Sequence, residues 1–242
     1  MPIGEVETHP YLLDGAIHGA TKMILGSFPV YECTNPDNQI KLGNREAEGT
    51  VRFFYGSVDS RLWGKYIAYV DNNLDLPPNP QLILESLSHF GVAISDTITQ
   101  SERRDFSSSD SDLRGRQWNR RMILDLITSG VTKVLCTSKG VLSDLERKII
   151  CPANFGQVDM AQSLGFQHNF IQGIGGSDTL LQVSPVARVF TIGEATVQAL
   201  AIPSPGSPQR KIKNFGYHGG IDVLAYAESY FQSAFDWLML DE

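Results

Sequence analysis

Short apolar runs that stop abruptly at glycine or proline set the frame of this chain. Residues 21–26 pass through Met23, Ile24 and Leu25 and end at Gly26, Ser27, Phe28 and Pro29, as a buried strand does on entering a loop. Residues 91–97, 131–137 and 196–202 repeat the form, the last stopping at Pro203, Ser204, Pro205 and Gly206. Phe190 and Ile192, just before Gly193 and Glu194, make the fourth run part of a hairpin.

Helical spacing fills the intervals. Over residues 81–90 the side chains of Ile83, Leu87 and Phe90 share a face, and Pro80 suits a helix's first turn. Trp118, Met122, Ile123, Leu126 and Ile127 form the next stripe, closed by Gly130. Residues 114–121 read as the exposed start of that helix, with Trp118 buried. Residues 143–150 give a shorter helix, and Ile221, Leu224, Phe231, Phe235 and Leu238 a long C-terminal one. Strand and helix in alternation predict one three-layer α/β/α domain over residues 1–242, with a central, mainly parallel four-stranded sheet. Loops leaving the carboxyl ends of such strands line the ligand crevice, which singles out residues 26–30 and 203–208.

Composition changes this picture little. An apolar fraction of 42% and a charged fraction of 19% are ordinary for a globular chain of 242 residues, and the apolar runs are too short to span a bilayer. No membrane partner is expected. The start, Met1-Pro-Ile-Gly-Glu-Val-Glu7, has neither a basic nor an apolar stretch, so no secretory signal and a cytoplasmic location are expected. Cys33, Cys136 and Cys151 lack metal-type spacing and imply neither a disulfide framework nor a zinc site. A formal charge of −7 argues against a protein that coats DNA non-specifically. Residues 114–121 and 209–213 are nonetheless locally basic, which leaves room for a DNA-facing edge on an acidic body.

In the first loop Gly26 lets backbone N–H groups approach a ligand with no side chain intervening; alone this is weak, because such turns are common. The second loop combines the rigid Pro203, Pro205 and Pro208 with the hydroxyls of Ser204 and Ser207 and the free backbone of Gly206. Arg210, Lys211 and Lys213 follow. Rigid donors beside cations suit a phosphodiester.

This pairing resembles the uracil-DNA glycosylase superfamily, which has a Gly-x-x-Pro loop after strand one and a Pro-Ser loop after the last strand. Two further blocks resemble its hypoxanthine-DNA glycosylase-like branch. Residues 53–63, from Phe53 to Trp63, match an aromatic pair followed by Asn-x-Phe-Trp. Asp96, then Glu102 and Arg103, then residues 109–112 match an Asp, a Glu-Arg and a Ser-x-Asp-Ser string. The resemblance implies a pocket for a base swung out of DNA, no cofactor, no metal, and a monomer acting on DNA that contains a damaged or deaminated base.

The bond between a base and its sugar cannot be reached within a stacked duplex, so the nucleotide must leave the stack. The resemblance gives the aromatic floor to one of Phe53, Phe54 or Tyr55. Phe28, beside Pro29, closes the pocket from the other side, and backbone donors around Gly26 and Ser27 stabilise charge on the leaving base. Ser204, Gly206 and Ser207 pinch the backbone, Arg210 and Lys211 hold phosphates, and Ile212 enters the gap as a wedge. The chain departs from the family at the water-positioning group. Phe28 stands where some branches carry Asn, and the Asn of Asn-x-Phe-Trp aligns with Ser60, a poor substitute. Asp59, one residue earlier, is the candidate to orient water, its competing role being that of a solvated turn residue.

Other features receive structural readings. Gly173, Gly175 and Gly176 form a surface turn, since no Lys-Ser or Lys-Thr follows. His9, His18, His89, His168 and His218 have no ligand spacing and read mostly as surface or capping residues. Asp110 and Asp112 sit in a Ser-rich acidic stretch that caps helices. Three functions follow: a glycosylase removing uracil or hypoxanthine-type bases, a family member that binds damaged DNA or another nucleic acid without cutting it, and a nucleotide or small-molecule binding domain in the same crevice.

Overall fold

The computed structural model describes residues 4–34, 50–57, 59–77, 79–104, 110–150 and 186–240. Cys151, His168 and the glycines at 173, 175 and 176 lie outside them. In chain order the elements are β1 (Val6–Thr8), β2 (Lys22–Gly26), α1 (Tyr31–Thr34), α2 (Leu62–Tyr69), α3 (Pro80–His89), β3 (Val92–Asp96), β4 (Ile98–Arg103) and β5 (Leu113–Trp118). They continue with α4 (Arg120–Thr128), β6 (Lys133–Cys136), α5 (Lys139–Asp144), β7 (Ala187–Ile192), β8 (Ala195–Ala201) and α6 (Val223–Met239).

The main sheet has five strands, one more than expected, in the order β3-β2-β6-β8-β7. Its first four strands run parallel, and β7 pairs antiparallel with β8 through a turn at Gly193 and Glu194. The hairpin read from Phe190 and Ile192 is therefore present, and it supplies the fifth strand. All residues of β2, β3 and β6 are buried, which is why these strands read as unbroken apolar runs. Even Lys133 is buried, its Nζ donating to the Leu240 carbonyl at 2.5 Å at the end of α6, where a cation offsets the helix's terminal carbonyls.

Helix α3 starts as its sequence predicts. Asn79 Oδ1 accepts from Gln81 N at 2.9 Å, Pro80 occupies the first turn, and Ile83 and Leu87 are buried. Helix α6 is capped by Asp222, whose Oδ1 accepts from Leu224 N and Ala225 N, and it buries Phe231, Phe235 and Leu238. Leu224, expected on that stripe, is 49% exposed. The helix read over 143–150 is divided: Ser143 and Asp144 close α5, and Leu145–Ile150 form a π-helical turn.

A second, antiparallel sheet of order β1-β4-β5 was not expected. Residues 114–118, read as the start of a helix, instead belong to β5, and α4 begins only at Arg120. Leu113 turns inward to Phe28 and Ile98, with Trp118 only partly buried against them, while Arg114 and Gln117 face out. Pairing with β4 supplies the backbone partners that a helix would have supplied. Among the described residues, no helix is long and apolar enough to cross a membrane.

Candidate functional site

Parallel pairing brings four strand ends to one edge. Gly26 lies opposite Asp96, and Cys136 opposite Ala201. The ladder continues one residue further, through Thr97 N to Gly26 O, Thr137 N to Leu25 O and Ile202 N to Cys136 O, each at 2.9 Å. Loops 26–30 and 203–208 therefore leave the same end of the sheet. One strand separates their origins, a span of roughly 10 Å at ordinary strand spacing.

A single segment reaches both loops. At one end, the Tyr55 hydroxyl lies so close over the Gly26 Cα that a methyl group there would overlap it and Asp96 Oδ1. The hydroxyl also shares a 2.7 Å hydrogen bond with Thr137 Oγ1 across the end of β6. Burial pushes the Tyr55 phenol well above its ordinary value, and the Asp96 charge adds to this. Its backbone is left-handed, at φ 52°, an uncommon conformation for a bulky residue. At the other end, a Cβ on Gly206 would stand 2.6 Å from the Asp59 carbonyl oxygen. Glycine permits that approach.

The remaining aromatics are packed into the interior. Phe53 and Phe54 are 2% and 0% exposed within the main core, where Phe53 stacks on Trp63 and the Phe54 carbonyl accepts from Trp63 Nε1 at 2.7 Å. Of the three, it is Tyr55 whose hydroxyl lies against Gly26. Phe28 packs with Ile98 and Leu113 beneath the Arg103 guanidinium. Arg103 grips Glu7 through Nε and Nη2, and Nη2 also donates to the Pro29 carbonyl at 2.8 Å. This buried fork fixes the first loop to β1 and β4.

Ser27 Oγ donates to Asp110 Oδ1 at 2.8 Å. Asp110 keeps exposed surface, yet protein packed around its carboxyl disfavours the charged form and raises its pKa. Asp59 is exposed, and its N–H reaches Ser57 Oγ at 3.4 Å. Ser60 Oγ accepts from Leu62 N at 3.4 Å, at the start of α2. In the second loop Pro203 and Pro205 are buried, Ser204 and Gly206 are exposed and Ser207 is half-buried, while Arg210 and Lys211 are exposed beyond them. Ile212 is not available as a wedge: it is 5% exposed within the core, because the short 3-10 turn Ile212–Phe215 turns it inward. His218 is exposed.

Sequence reading missed a buried histidine at this edge. His9, one of five histidines read mostly as surface or capping residues, is buried among the rings of Tyr11, Phe28 and Phe54. Its Nδ1 accepts from Tyr11 N at 3.1 Å, so its hydrogen sits on Nε2 and is donated to Asp96 Oδ2 at 2.8 Å. Asn119 braces the same strand end through Ser95 Oγ and the Asp96 carbonyl, both at 3.0 Å. An acid closing an apolar parallel strand was the one signal in the sequence; nothing in the spacing of His9 linked it to that acid. Among the described residues, no group of three or more His, Cys, Asp or Glu is arranged to hold a metal ion.

No family model matches the chain, and neither a curated protein nor a solved structure matches it.

Proposed function

We propose that this chain is a DNA glycosylase of the uracil-DNA glycosylase type, with a three-layer α/β/α arrangement around its parallel strands. It hydrolyses the bond between sugar and base in DNA carrying a deaminated base of the uracil or hypoxanthine class. One observation carries the reading: the segment from Tyr55 to Ser60 touches both loops, with the Tyr55 hydroxyl over Gly26 and the Asp59 carbonyl against Gly206. That supports a single crevice with an aromatic side chain beside backbone donors at one end and a rigid, hydroxyl-bearing loop at the other. Arg210 and Lys211, exposed past the second loop, suit the flanking phosphates. Unstacked bases are held by aromatic and apolar contacts together with edge hydrogen bonds.

The test is incubation with oligonucleotides bearing uracil, hypoxanthine or xanthine, followed by alkaline cleavage. Strand scission at the modified position is expected. Intact strands for all three, with no retention of any of them over the unmodified oligonucleotide, remove the reading.

Crowding over Gly26 favours a second reading, in which the chain binds an altered nucleic acid without cutting it. The Tyr55 hydroxyl and Asp96 carboxylate occupy the space where a base edge would approach Gly26, and the Ser60 hydroxyl is engaged at Leu62 N. Tight binding to an abasic-site duplex with no product from any oligonucleotide selects this reading.

A further inference from the structure

Hydrolysis needs a group that holds water against the sugar, and neither residue expected to do so is well placed. Asp59 brings its backbone to Gly206 while the residue stands exposed, and Ser60 Oγ accepts from the α2 backbone. A different carboxylate stands beside the start of the first loop. Asp96, the last residue of β3, is 2% exposed and lies opposite Gly26. Its Oδ2 is held by His9 Nε2. Its Oδ1 is buried without a hydrogen-bond partner among the described residues, and it points at the Gly26 Cα beside the Tyr55 hydroxyl. Buried acceptors are paired almost without exception, because leaving one unpaired is costly. An orphan acceptor set against Gly26, at the start of the first loop, can take a donor from a ligand held there.

We propose that Asp96 is the catalytic carboxylate that holds the attacking water and that His9 is its positioning residue, an inference that rests on the glycosylase reading above. Water donates one hydrogen to Asp96 Oδ1 while its oxygen attacks C1′ of the sugar. The C1′–N bond breaks, and its electron pair leaves with the base. The water proton passes to Oδ1 and on to solvent, and the departing base takes a proton from solvent. One water is thus divided between the sugar hydroxyl and the free base, with no other reactant. The same carboxylate stabilises positive charge developing on the sugar. His9, donating from Nε2, fixes the carboxylate plane so that Oδ1 faces Gly26. The Tyr55 hydroxyl covers Oδ1, so water reaches it as the entering nucleotide moves that side chain off Gly26. The titratable groups whose charges act with Asp96 at this edge are His9, Tyr55 and Asp110.

The experiment compares wild type, Asp96→Asn, His9→Ala and His9→Gln. It measures single-turnover excision across acidic to neutral pH, affinity for an abasic-site duplex, and thermal unfolding. Asn keeps the shape of Asp, with its oxygen accepting from His9. Asp96→Asn is expected to slow excision by about 100-fold or more, the scale of a lost acid–base group. It should leave duplex affinity unchanged. His9→Ala should lose less, and His9→Gln, which can still donate to Oδ2, should recover part of the loss. An Asp96→Asn protein that excises at the wild-type rate overturns the assignment and leaves the glycosylase reading standing. If Asp96→Asn does not fold, the His9 pair decides, and His9→Gln no faster than His9→Ala overturns it. Absence of product from wild type removes the glycosylase reading itself, and the assignment with it.

Discussion

The Tyr55 hydroxyl lies over the Cα of Gly26 and is hydrogen-bonded to Thr137 Oγ1 at 2.7 Å, so one phenol ties the ends of β2 and β6 together. No side chain fits beneath it. Gly26→Ala is therefore expected to destabilise the fold by roughly 1–3 kcal/mol, the usual cost of overpacking a close-packed site. Tyr55→Phe in the same chain should recover only part of this loss, since Asp96 Oδ1 also stands in the way. Urea unfolding of the two single variants and the double variant measures the coupling. Strictly additive losses would show that the hydroxyl and the glycine do not meet.

The contact between Gly206 and Asp59 makes a parallel prediction at the second loop. Gly206 has no left-handed backbone requirement, so any effect of Gly206→Ala is steric. A Cβ 2.6 Å from the Asp59 carbonyl forces backbone against backbone, and neither side can yield as a flexible side chain would. Gly206→Ala should lower the melting temperature and increase proteolytic cleavage between residues 55 and 60. An unchanged melting temperature and digestion pattern would mean that the second loop does not rest on that segment.

Much of this arrangement was legible because of burial. β2, β3 and β6 are covered on both faces, so their sequences are continuous apolar runs ending where the chain turns into loops. The second sheet was hidden for the opposite reason. β1 has three residues with one buried, and β4 and β5 carry Gln100, Glu102, Arg114 and Gln117 among few apolar positions. Their strand character comes from pairing with each other, which no local pattern records. At the site, the glycine and proline loops and Tyr55 stood out as residue types. The bond between His9 and Asp96 did not: its partners are 87 residues apart, and a histidine's burial depends on which rings the fold brings around it.

Ile212 separates the structure from the wedge expected of it. Its side chain is 5% exposed and packs within the main core. Ile212→Ala should cost about 2–5 kcal/mol in urea unfolding, as buried isoleucine truncations do. Any effect on excision should be equal on single-stranded and paired oligonucleotides, because the residue reports on the fold and not on the gap in the stack. A stability unchanged from wild type, with loss confined to paired substrates, would restore the wedge.

Asp110 makes the stability of the fold pH-dependent, and the sign follows from the direction of its shift. Crowding raises its carboxyl above the ordinary aspartate value, partly countered by the Ser27 hydroxyl and Arg116, and the neighbouring Asp96 charge adds to the rise. A raised acid binds its proton more tightly folded than unfolded, so its ionisation opposes folding. The penalty is fully present above the folded pKa and fades as pH falls through it towards the unfolded value. Asp110→Asn, which keeps an acceptor for Ser27, removes the penalty. It should raise the melting temperature at neutral pH, with the difference from wild type shrinking as the pH is lowered through the carboxylate range. Melting curves for the two proteins across that range check this; a gap that widens on acidification would mean that the Asp110 carboxylate is held in its charged form by Ser27 and Arg116.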